Sequence, residues 1–322
     1  MSDLHKPLGL LVLVLFVLFT LVGWYWSQEP DFVALDSSEV TQQRVVGAAT
    51  TEMLIKATEA LLDKPGGYIS NDYAPPGIFM DNIANWEFGV LQQIRDLAKS
   101  LRNDMSRSQT QSVADPDLET AEPKFNVDSE AWMFPSAEGE YEAGAKALQK
   151  YLDRLKDASQ RNAQFYSRAD NLNDWLKLVE KRLGSLSQRL SAAKPQARLN
   201  IDLAGDAGAE QSTQTAPEVV SKTPWSKIDD NFYEARGTAW ALIHFMRAAE
   251  SDFKSVLEKK NALPSFLQII RELEATQQPV WSPLILNGSG MGMFANHSLV
   301  MSSYISRANA AVADLISLLE DG

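Results

Sequence analysis

An all-α protein with a single membrane-spanning helix at its N-terminus is what this 322-residue sequence predicts. Three observations predict it. Residues 8–26 are apolar and uncharged throughout, and the apolar positions beyond them recur at three- and four-residue steps. No run alternates regularly enough to require a sheet. The expected architecture is a transmembrane helix followed by an extended helical bundle containing one long, coiled-coil-like helix.

The anchor reads LGLLVLVLFVLFTLVGWYW, with Leu8, Leu15 and Phe19 along its length and Trp24, Tyr25 and Trp26 at its end. Nineteen helical residues rise roughly 28 Å, close to the ~30 Å hydrocarbon core of a bilayer. Thirteen of them are Leu, Val or Phe, which together favour insertion by roughly 4–8 kcal/mol. The terminal aromatic rings suit the headgroup layer. A cleaved signal peptide would have a shorter apolar core and a small-residue cleavage site, and the exit WYWSQEP offers none. Lys6 precedes the helix, while Glu29, Asp31, Asp36 and Glu39 follow it before the first base, Arg44. The positive-inside rule then places residues 1–7 in the cytoplasm and the body across the membrane. In a Gram-negative bacterium that means an inner-membrane anchor and a periplasmic body.

Composition narrows the partners. A hydrophobic fraction of 45% and a charged fraction of 22% belong to a folded chain. The net charge of −12 argues against nucleic acid and against anionic lipid as default partners. The absence of cysteine excludes disulfides, thiolate metal sites and cysteine nucleophiles.

Along the body, Ser37 or Ser38 can cap a helix running to about Lys64, and Pro65-Gly66-Gly67 ends it. GGYISNDYAPPG (66–77) reads as a loop, and a second helix follows at 79–106. Residues 108–142 carry nine acids against one base, Lys124, and read as an acidic loop docked by Trp132, Met133 and Phe134. From Leu148 the pattern is heptad. Position a reads Leu148, Leu155, Asn162, Ala169, Leu176, Leu183, Leu190; position d reads Tyr151, Ala158, Phe165, Leu172, Val179, Leu186, Ala193. The phase does not slip, so one continuous helix over 141–193 is expected in preference to a break near Ser167–Asp170 that would fold it into a hairpin, with Asn162 setting register. Arg154, Arg161, Arg168, Arg182 and Arg189 flank this seam, and only one flanking position opposite, Glu180, is acidic. Self-pairing is poorly served, which leaves the homo-oligomeric state open. Pairing of this basic stretch with the acidic 108–142 of the same chain is the simpler expectation. Residues 196–224 read as a flexible linker between a first helical region, 27–195, and a second, 225–322.

Chemistry-bearing motifs are sparse. Of three histidines, His244 sits in the apolar WALIHFMRA as a packed core imidazole, and no metal-ligand spacing occurs. GSGMGM (288–293) precedes a helix but lacks the third glycine of a dinucleotide loop and the Lys-Ser/Thr of a P-loop. Asp72, Asp81 and Glu87, beside Tyr68, Tyr73 and Trp86, could serve a glycan hydrolase, which needs a raised-pKa acid near aromatic surface. Solvated loop acids are the plainer reading. No cofactor is predicted.

The run GGYISNDYAPPGIFMDNIANWEFGVLQQIRDLAKSLR (66–102), behind a short anchor, resembles an uncharacterised bacterial envelope family, the domain of unknown function 2333; SEAWMFPSAEGEYE (129–142) extends the likeness. The resemblance implies a Gram-negative origin and a single-pass membrane protein, without an assigned activity, cofactor or catalytic residue. The expected function is contact with an envelope protein partner, as scaffold or assembly factor. The surfaces expected to carry it are the Arg-flanked seam and the 66–87 loop, with Tyr68, Asn71, Asp72, Asp81, Trp86 and Glu87. A periplasmic ligand-binding or sensory module is the alternative, and a carboxylate-dependent cell-wall hydrolase the second.

Overall fold

A computed structural model describes residues 5–33, 45–108, 113–159, 162–199, 218–282, 284–289 and 292–321. The fold is all-α. Ten helices account for nearly all regular structure among these residues: α1 (His5–Trp26), α2 (Ala48–Asp63), α3 (Asp81–Ser100), α4 (Pro116–Phe125), α5 (Ala137–Lys156), α6 (Ala169–Ser191), α7 (Ile228–Asp252), α8 (Lys254–Lys259), α9 (Leu263–Ala275) and α10 (His297–Asp321). Two four-residue strands, β1 (Gln196–Leu199) and β2 (Glu218–Ser221), pair antiparallel. They stand at the two ends of the stretch expected as linker, whose residues 200–217 lie outside the described ones.

The two helical regions share one core. α3 packs on α7 at its centre, α6 on α10, and α5 on α4 and α2. Glycine permits the central contact: a Cβ at Gly237 would sit 2.0 Å from the Trp86 carbonyl oxygen, and one at Gly89 would sit 2.2 Å from that of Glu234. The helices therefore meet backbone to backbone, and Trp86 and Trp240 lie edge-on across the contact at 5.3 Å.

The long helix over 141–193 is not continuous. α5 stops at Lys156 and α6 starts at Ala169. Asp157 takes its own chain out of the helix, its carboxylate accepting from the Ser159 amide (2.9 Å) and hydroxyl (2.6 Å). The Tyr166 amide then donates to the Met105 carbonyl, and Tyr151 donates its hydroxyl to the Gln164 carbonyl. Phe165 still packs inward, edge-on to Phe253, but from a connection rather than a helix. Asn162, expected at a seam position, is exposed in that connection. Within each helix the periodicity holds: Leu148, Tyr151, Leu172, Leu176, Val179, Leu183, Leu186 and Leu190 are all buried. The acidic 108–142 is likewise more than a loop, since α4 forms inside it, capped by Asp115.

Flanking arginines find carboxylates within the chain. Arg154 pairs with Asp115 and Asp117 of the acidic stretch. Lys124 and Glu140 pair inside that stretch. Arg182 goes instead to Asp96 of α3, and Arg189 to Glu234 of α7. Arg168 bonds Asn171, and Arg161 lies outside the described residues.

Candidate functional site

The 66–87 segment is held by one buried ion pair. α2 ends at Asp63 with Lys64 as its C-cap, and Gly66 and Gly67, at φ 86 and 73, turn the chain through a conformation that suits glycine. Lys64 Nζ then meets Glu87 Oε1 at 2.7 Å, with both side chains fully buried, and donates to the Gly67 carbonyl. Glu87 also accepts from the Ile69 amide, the Ser70 amide (2.8 Å) and the Ser70 hydroxyl (2.5 Å). Burial pushes its carboxyl pKa up; Lys64, Ser70 and Ile69 pull it back. Both oxygens are occupied and neither reaches solvent. Glu87 ties the loop to α3 and is not placed as a general acid.

The loop docks in turn on residues 129–138. Tyr68 donates to the Ser129 carbonyl at 3.1 Å and lies edge-on to Tyr141. Asn71 Nδ2 donates to the Ala131 carbonyl and to Glu138 Oε2, both at 2.9 Å. Burial raises the Asp72 carboxyl pKa, Glu138 adds to it and Lys64 opposes. Tyr68, Asn71, Trp86 and Glu87 are thus interior groups, where the sequence placed a surface. Asp81 is exposed at the start of α3, and Asp72 is partly so.

The same loop grips the last turn of α1. The Trp26 ring lies over Gly66, where a Cβ would sit 2.6 Å from its Cγ, and Gly23 faces Pro76. Trp24 and Tyr25 remain exposed. Beyond them Glu29 meets Arg236 at 2.7 Å, and Arg236 also donates to the Thr276 and Gln278 carbonyls. The Val33 amide donates to His244 Nε2 at 2.9 Å, while His244 Nδ1–H donates to the Trp240 carbonyl at 2.7 Å. α1 and the residues just after it are tied to the body at these four places. No motif in the sequence announced these contacts, because each joins residues far apart in the chain.

The His244 clamp requires a neutral ring, since protonated Nε2 would point a hydrogen at the Val33 N–H. Burial pushes its pKa down to about 4; the Trp240 carbonyl opposes this and Arg247 adds to it. The unfolded chain therefore binds the proton first. Stability is full above the unfolded value of about 6.5 and declines as pH falls toward about 4. The expected loss is about 3 kcal/mol across that window. Chemical denaturation of the full chain in micelles at pH 7.5 and 4.5 measures it, and His244→Gln should flatten the slope. Equal slopes in both proteins would remove His244 from the account.

Elsewhere, Phe232, Trp281, His297, Val300, Met301 and Tyr304 line an apolar cleft of about 330 Å³. At the start of α10, Asn296 Oδ1 accepts from the Leu299 amide and the Gly288 amide donates to the Ala295 carbonyl. The chain on the two sides of the glycine-rich stretch is thereby tied backbone to backbone, while Gly290 and Met291 within it lie outside the described residues. Among the described residues, no group of three or more His, Cys, Asp or Glu side chains is placed to hold a metal ion.

No curated protein and no solved structure matches the chain. One family model does, over residues 2–322, described as an uncharacterized protein conserved in bacteria. The segments 66–102 and 129–142, in which the likeness is legible, are the two that the Tyr68 and Asn71 hydrogen bonds lock together. With nearly its whole length matched, the chain belongs to the bacterial family DUF2333.

Proposed function

We propose that this protein is a single-pass inner-membrane protein whose helical periplasmic body works through protein contacts, as an envelope scaffold or assembly factor. One observation carries the reading. Helix α1 is apolar over Pro7–Trp26 and none of that stretch is buried against the body, yet its last turn is clamped there. An unburied apolar helix of this length needs a bilayer around it, and a clamped one holds its body in a defined pose above that bilayer. Of the residues expected at the interaction surface, Asp81, Asn162 and Arg182 are exposed and Asp72, Arg154, Arg168 and Arg189 are half-buried, and these are where a protein partner would meet the body.

Carbonate washing of bacterial membranes should leave the full chain in the pellet, with its N-terminal segment intact. Crosslinking and affinity capture from those membranes should recover a stoichiometric partner. A mature chain beginning near Ser27 would end the anchor reading, and capture of no partner at low or high salt would end the scaffold reading.

The 330 Å³ apolar cleft favours a second reading, a module that binds an apolar ligand. Native mass spectrometry of the purified chain would find a co-purifying small molecule, lost on Met301→Trp, if that reading holds.

A further inference from the structure

We propose that the end of the body nearest the anchor lies on the bilayer, with Tyr73, Ile78, Phe79, Trp132, Phe134 and Trp225 inserted among the headgroups of the leaflet from which α1 emerges. This rests on the reading of α1 as a membrane span.

Contact with the anchor sets the depth of the patch. Gly23, which faces Pro76, lies three residues inside the C-terminal end of α1, or about 4.5 Å along its axis. The 73–79 loop therefore reaches the level of Trp24 and Tyr25. Its apolar side chains point away from the core: Ile78 is 53% exposed and Phe79 is 78% exposed. Tyr73 carries the patch sideways, stacking edge-on against Trp132 at 5.8 Å. Beside Trp132, Phe134 is held at φ 46 with its ring 92% exposed. A left-handed backbone is costly for a residue bearing a Cβ, and among the described residues this side chain stays 92% exposed, with little packing to offset the cost.

The path of the chain gives the direction. Glu29 meets Arg236 and Val33 meets His244, so the chain leaving α1 runs about 12 Å along α7 toward its C-terminus. The N-terminus of α7 accordingly faces the membrane, and Trp225, 82% exposed, stands just before it. α3 starts at the same end, with Asp81 near enough to Asp229 to raise its pKa, after burial. Loops from three parts of the chain thus bring large apolar side chains to one level, that of the anchor's aromatic end. Aromatic rings favour this layer. None of the six residues is charged, and with a chain of net charge −12 the contact should not depend on anionic lipid.

The chain has no cysteine of its own, so single labels can be placed cleanly. Phe79→Cys, Trp132→Cys and Trp225→Cys would each carry an environment-sensitive fluorophore. Leu15→Cys would report on the span, and Ser255→Cys, on α8 beyond the far end of α7, on solvent. Each full-length protein is reconstituted into phosphatidylcholine vesicles, and into phosphatidylethanolamine–phosphatidylglycerol vesicles, doped with nitroxide lipids. Labels at 79, 132 and 225 should lose most of their emission to a headgroup nitroxide in both mixtures, and the label at 255 should lose none. Quenching of position 15 by a deep-chain nitroxide, with 79, 132 and 225 unquenched, would overturn the proposal and leave the anchor standing. An unquenched position 15 would overturn the anchor itself. Self-quenching at 79 and 132 that grows with the protein-to-lipid ratio, without lipid quenching, would assign the patch to a second copy and overturn the proposal too.

Discussion

Replacing Lys64 with methionine is expected to cost the fold ~3–5 kcal/mol, because it strands a buried carboxylate. Glu87 has no route to water: its side chain is 0% exposed. The remaining donors from Ile69 and Ser70 satisfy its geometry but not its charge. Glu87→Gln should cost ~3 kcal/mol by a different route, since its amide NH2 must face one of the groups that now donate to the carboxylate. The double variant Lys64→Met/Glu87→Gln removes both charges together and should recover at least ~1 kcal/mol of the summed loss. Denaturant unfolding of the four full-length proteins in micelles reads this directly. Single effects that simply add, within about 0.5 kcal/mol, would show that the two groups do not depend on each other. The result bears on function as well. A stable, fully folded Glu87→Gln protein that fails in the cell would return Glu87 to the candidate acids.

Gly237→Ala should destabilise by ~1–3 kcal/mol even though alanine is the better helix former by about 1 kcal/mol. The new methyl would lie 2.0 Å from the Trp86 carbonyl oxygen, against an ordinary C···O approach of roughly 3.3 Å. Because the obstacle is backbone, no side chain can swing aside. α3 and α7 must separate by about 1.3 Å, loosening Trp86 and Trp240 in the middle of the core. Gly184 of α6 is the control, since its Cβ would find Asn309 at 3.7 Å. Gly184→Ala should be neutral or stabilising by up to about 1 kcal/mol. If both variants gain stability, the close crossing is not where the structure puts it.

Local patterns were readable wherever a helix buries one stripe. The seam from Leu148 to Leu190 is an example, since each of its helices keeps the predicted face inward. What periodicity could not register was the break between α5 and α6. The side-chain phase runs on between α5 and α6, while the Tyr166 amide there is bonded to the Met105 carbonyl, far away in sequence. Phe165 satisfied the pattern from a loop. Asp157 and Ser159 carry the local signal of that break, and a heptad count does not register it. The candidate loop was legible in the same partial way. Its glycines and prolines announced a turn, but whether Glu87 faced water or Lys64 depended on where α2 ended relative to α3. Burial turned an apparent surface acid into an internal tie.

Sequence alone settled the properties that follow from composition and short-range order. These are the helical class, the apolar N-terminal helix, the absence of thiol chemistry, and the likeness to a bacterial family that spans nearly the whole chain. Tertiary structure alone decided which charges meet, where the long helix stops, and that the apolar N-terminal helix and the chain just after it are gripped by Gly66, Pro76, Arg236 and His244 rather than trailing from the body. The division is physical. Helix formation and membrane insertion are sums over neighbouring residues, whereas an ion pair or a clamp joins residues whose separation the chain can close only by folding.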